Sequence, residues 1–114
     1  MNMEDKLIIA FNISKTYDLL LQGKGDRTSI YDCTRRYWGR VKKQRAELAE
    51  LAFGVAHGKI VGVYKPVTWR YVDYNGGTRI EFEGVEISDS PYLGLDISEY
   101  FHKIQNPVRY IGRW

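Results

Sequence analysis

The sequence predicts an α+β domain built on a mainly antiparallel, strongly twisted sheet, or a partly open barrel, with two or three short helices. Three observations lead there. An early apolar run is rich in β-branched residues, two stretches before residue 50 carry helix signals, and strand-like runs then follow one another across tight turns. Sheets made of such hairpins twist and curl toward closure. With 114 residues, the chain is expected to form a single domain spanning 1–114, long enough to bury a core without metal or disulfide support.

Residues 6–13 form a brief apolar run rich in β-branched residues between polar flanks, which predicts a buried strand central in the sheet. The glycines and charges of 22–27 make a loop, and Ser29-x-x-Asp32 is the start signal of a helix. On that helix Ile30, Tyr31, Thr34 and Trp38 share one face, Asp32 and Arg36 can pair on another, and Gly39 ends it. Residues 41–50 are helical by propensity. Next come a hairpin of 51–56 and 59–66 around His57-Gly58, a third run at 68–72, and the turn Asn75-Gly76-Gly77. Over 78–83 apolar and charged residues alternate, which sends Ile80 and Phe82 inward and Arg79, Glu81 and Glu83 to water. A short helix at 96–104 and a closing strand at 106–111, with Pro107 at its start, complete the reading.

The net charge of +3 hides two opposed regions. Arg35, Arg36, Arg40, Lys42, Lys43 and Arg45 crowd eleven positions without an acid, with Tyr37 and Trp38 among them. Cations beside rings suit phosphates and stacked bases, so these residues, with Trp69, are the candidate nucleic-acid-binding set. The alternative is a solvated basic helix face; Trp38 also fits a core anchor, and Trp69 either lines a pocket mouth or plugs the barrel end. From 80 to 102 six acids occur without Lys or Arg, a surface suited to a protein partner. The loop from Gly23 to Ser29 offers Lys24 and Arg27 for an anion, or is plain loop; it lacks P-loop spacing.

Chemistry beyond binding finds little support. Cys33 with His57 or His102 is the one Cys–His option, and Cys33 falls inside a helix beside its apolar face, where a small buried residue is expected. These three residues are too few for a spaced zinc site, and no cofactor, metal or catalytic set is expected. The apolar stretch at 7–11 is too short for a leader or a membrane span, and one cysteine suits a reducing compartment, so the expectation is a soluble cytoplasmic protein.

Several short motifs carry a resemblance: Tyr31-Asp32-x-Thr34-Arg35-x-x-Trp38, then Gly58-Lys59-Ile60-Val61-x-Val63-Tyr64 with Trp69, then Arg79-x-x-Phe82-x-Gly84 and Asn106-Pro107-Val108-Arg109-Tyr110. The chain resembles a small domain found alone in bacterial and phage proteins and as a companion of GIY-YIG nuclease modules. That likeness implies a nucleic-acid context; it departs at Arg36, where the family usually has Gly. Tyr110-Ile111-Gly112 is not the nuclease signature, because the upstream Gly-Ile-Tyr is absent. The hairpins and their Trp also look like PUA-like domains, which include readers of RNA and of modified bases. The leading expectation is a non-catalytic module binding RNA or DNA, with a base read in a pocket. The alternative is a phage or mobile-element protein that binds a host protein.

Overall fold

A computed structural model of the chain describes residues 3–102 and 106–114. Five strands form one curled sheet, a half-barrel, in the order β4-β3-β2-β1-β5, where β1 is Leu7–Asn12, β2 Leu51–Ala56, β3 Lys59–Tyr74, β4 Gly77–Glu86 and β5 Val108–Gly112. Only the β1–β2 pairing is parallel; the other three are antiparallel. The α+β class and the largely antiparallel, curled sheet are therefore as the sequence predicts.

Continuous apolarity in β1 reflects a sheet covered on both faces. One core joins Ile9, Phe11, Trp69, Ile80 and Phe82 beneath the helices. The other joins Ile8, Ala10, Phe53, Val63 and Ile111 with Tyr92 and Ile97 from the segment that follows β4. Three short helices lie on the first face: α1 (Ser14–Leu21), α2 (Ile30–Arg35) and α3 (Lys43–Ala46). The Ser29 cap forms as expected, its Oγ accepting from the Asp32 amide at 3.0 Å.

Local departures have physical causes. Helix α2 stops at Arg35, four residues before Gly39, because the chain turns extended and Trp38 exchanges both backbone hydrogen bonds with Ile80 on β4. Of 41–50 only one turn is helical, since Val41, Ala46 and Ala49 must reach the core from a short connection. Runs 59–66 and 68–72 are one strand, β3, bent by a bulge at Pro66, whose missing donor the bulge accommodates. Residues Ser98–Phe101 form a 3-10 turn where the sequence predicts a helix over 96–104, and residues 103–104 of that stretch lie outside the described residues. Helix α1 is not among the elements that the sequence predicts.

Alternation fails at one place that matters. Glu81 does not face water: it is 2% exposed. Arg35, 8% exposed, comes down from α2 onto β4 and donates through Nε to Phe82 O at 3.0 Å and through Nη2 to Glu81 Oε2 at 3.2 Å. The Tyr31 hydroxyl accepts from Gly84 N at 2.9 Å. With Trp38 on Ile80, these contacts cover the outer edge of β4, which would otherwise be open to foreign strands.

Candidate functional site

The basic block divides into two sets with different fates. Arg35 and Arg36 belong to a buried ionic network around Glu81, together with Arg70 of β3. Arg70 reaches Glu81 Oε2 through Nε and Nη2 at 2.9 and 2.6 Å, and Glu83 Oε1 through Nη1 at 2.9 Å. Asp32 takes Arg36 at 3.3 Å and Arg35 at 3.6 Å. Three guanidiniums thus meet three carboxylates, which leaves the network neutral and ties α2 to the β3–β4 hairpin. Arg35 is consequently buried out of a ligand's reach, whereas Arg36, at the rim of the network, is partly exposed and lines a depression.

Arg40 and Lys42 are exposed, and their side chains have no hydrogen-bond or ion-pair partner among the described residues. Lys43 pairs with Glu47 at 2.9 Å, an i,i+4 contact on α3. Arg45 stacks over Tyr110, with its guanidinium carbon 3.7 Å from the ring centroid, and also lies over Trp114.

The three candidate stacking rings are engaged internally. Trp69 is buried at 5% exposure, with its ring 5.0 Å from Phe82. Trp38 stacks on Phe11 at 4.6 Å and donates through Nε1 to Thr34 O at 2.8 Å. Tyr37 stacks on Tyr74 at 3.8 Å, flanked by the guanidiniums of Arg27 and Arg36. The ring that sequence reasoning missed is Tyr71, which is exposed beside Lys42. The strand period hides it: Tyr71 follows inward-facing Trp69 by two, yet it is 59% exposed.

Three depressions follow one another along the extended run after α2. The first, about 220 Å³, lies between Tyr37 and Trp38 and the start of α1, with Lys15, Arg27, Arg36 and Cys33 in its wall. The second, about 560 Å³, is bordered by Gly39, Arg40, Arg79 and Asn106. The third, about 450 Å³, runs past Val41, Lys42, Lys43 and Tyr71. Asn12, in the first, donates its amide to Pro107 O, in the second, at 2.7 Å, which places the two side by side.

Asp26 pairs with Arg27 in the wall of the first depression. Burial pushes its carboxyl up, but the hydrogen bond from Tyr74 and the charge of Arg27 outweigh that and hold it below the usual carboxylate range. Burial pushes the Cys33 thiol up, so it stays protonated and a poor nucleophile. His57 pairs instead with Asp18, at 2.8 Å. Among the described residues no group of three His, Cys, Asp or Glu could hold a metal, and no helix is long and apolar enough to cross a membrane. No known protein family, curated protein or solved structure matches this chain.

Proposed function

We propose that the protein is a non-catalytic nucleic-acid-binding module that lays a single strand along residues 36–43. The observation that supports this reading most is the series of three adjacent depressions, each bordered by a cation with no acidic partner among the described residues: Lys15, Arg40 and Lys42 in turn. A strand following them meets phosphate contacts at each step and one exposed ring, Tyr71, against which a base can stack. Arg35, Trp38 and Trp69 serve this surface indirectly, by fixing the run against β4. The resemblance to companions of nuclease modules points the same way.

The test is the affinity for a fluorescent single-stranded oligonucleotide as salt is raised. Log affinity should fall linearly with log salt, and Arg40→Gln with Lys42→Gln should flatten the slope by about 1.4, at ~0.7 for each phosphate no longer neutralised. Undetectable or salt-independent binding refutes the reading. A second reading, binding to a protein, is favoured by the exposed apolar residues Val85, Leu93 and Leu95 set among Glu86, Asp89 and Asp96. A protein partner retained after nuclease treatment, and released by Val85→Glu, would support it.

A further inference from the structure

The geometry points to the cleft between α1 and Tyr37 as a phosphomonoester site, one that holds the terminal phosphate of a nucleic-acid strand or of a nucleotide. This rests on the nucleic-acid reading and adds which end of the strand is anchored, and where.

Two independent features converge on the cleft. The first is the start of α1. Its N-cap is Ile13, which offers no side-chain hydrogen bond, and its first turn contains no acid. Ser14 N is satisfied by Asn12 Oδ1 at 3.1 Å and Tyr17 N by Ile13 O at 2.7 Å. The amides of Lys15 and Thr16 have no acceptor among the described residues, and helical amides point back toward the N-terminus, the end of α1 that lines the cleft.

The second feature is a pair of guanidiniums. The Arg27 side chain is only 9% exposed, yet its Nε has no acceptor among the described residues. Arg36 Nε also lacks a hydrogen bond there, lying 3.3 Å from Glu81 Oε1 but out of line with it. Arg27 is held in place by Asp26, by the Tyr37 ring at 4.8 Å and by the Tyr74 ring at 5.7 Å. Buried donors without acceptors are costly, and the oxygens of an entering anion relieve that cost.

Size and charge select the anion. About 220 Å³ is many times the ~10–15 Å³ that a single water needs on the same measure, so a phosphate fits. The floor is closed by Ile13 and Cys33, both 1% exposed, so a strand enters by its end and does not thread through. The cations are Lys15, unpaired among the described residues, and Arg27 and Arg36, whose counterions are Asp26, Asp32 and Glu81; the latter two are shared with Arg35, and Glu81 also with Arg70. A terminal phosphate carries more negative charge than a bridging diester and presents three free oxygens, which suits amides and guanidiniums arriving from different sides.

The experiment is fluorescence anisotropy with one single strand prepared in three forms: 5′-phosphate, 3′-phosphate and hydroxyl at both ends. Fluorescently labelled adenosine monophosphate is titrated separately. The expected result is binding about tenfold tighter for one phosphorylated form than for the hydroxyl form, as charge-assisted hydrogen bonds imply. Lys15→Glu, on an exposed side chain, should abolish that preference, whereas Lys65→Glu, an exposed cation on β3, should keep it. Equal binding of all three strands overturns the phosphomonoester site and leaves the nucleic-acid reading standing. Binding of the labelled nucleotide with no binding of any strand upholds the site and overturns that reading, and absence of both overturns the two together.

Discussion

Replacing Glu81 by Gln should destabilise the protein more than any other single change of charge. The carboxylate is 2% exposed and receives Arg70 at 2.6 and 2.9 Å, Arg35 at 3.2 Å and Arg36 at 3.3 Å. The amide keeps the volume but removes the negative charge, and it turns an NH₂ group toward guanidiniums that need acceptors. Breaking a buried pair in this way costs about 3–5 kcal/mol, because the remaining charges stay buried and unbalanced. At an m-value of about 1.5 kcal/mol per molar urea, the unfolding midpoint should drop by about 2–3 M. Glu83→Gln provides the comparison: its side chain is 56% exposed and its pairing with Arg70 is a surface contact, so the loss should stay within about 1 kcal/mol. Urea denaturation followed by tryptophan fluorescence reads both variants. If Glu81→Gln unfolds within about 0.5 kcal/mol of the parent protein, the ionic network does not tie α2 to the hairpin and the structural role given to Arg35 fails.

Other outcomes follow from the same packing. Gly54→Ala should cost about 1–3 kcal/mol in the same denaturation assay, because a Cβ there collides with Thr34 Oγ1 and pushes α2 off the sheet. Trp69→Ala should cost about 3–5 kcal/mol, while Tyr71→Ala should leave stability within about 0.5 kcal/mol and weaken oligonucleotide binding. Cys33 should react with a disulfide reagent at pH 8 only after denaturant is added, since burial raises its pKa and keeps the thiolate scarce. Stability should fall as pH rises above about 8.5, where the unfolded thiol ionises and the folded one does not; Cys33→Ala should remove that part of the slope, and the Tyr64 phenol, also raised by burial, should keep the part above about pH 10.

Much of the fold was legible because it rests on short-range chemistry. The Ser29 cap acts over three residues, and the turn residues His57 and Asn75 stand at positive φ, each followed by a glycine. The alternation that placed Ile80 and Phe82 inside needs only the strand period. What escaped depends on partners far away in sequence. Glu81 looked like a wet-face residue because its period is right; it is buried because Arg35, 46 residues earlier, arrives from the opposite element. The same pairing explains why the basic block could not be read as one surface: the positions of its heads are set by β4 and by Tyr110 and Trp114, not by the block. Helix α1 went unread because its cap is Ile13, a residue with no capping side chain, and that missing cap is also what leaves its amides open to a ligand. Arg27 reads in the sequence as a possible anion ligand beside the start of α2; the Tyr37 and Tyr74 rings, far away in sequence, hold it in the cleft at the start of α1.

The most direct test of the proposed interface is to map amide chemical shifts as a single-stranded oligonucleotide is added to nitrogen-15-labelled protein. The largest changes should cluster at Lys15, Thr16, Arg27 and residues 37–43, with smaller ones at Tyr71 and Arg79 and none at Leu93 or Leu95. Shifts concentrated on the acidic 83–99 segment, or none anywhere, would contradict a strand lying along that run.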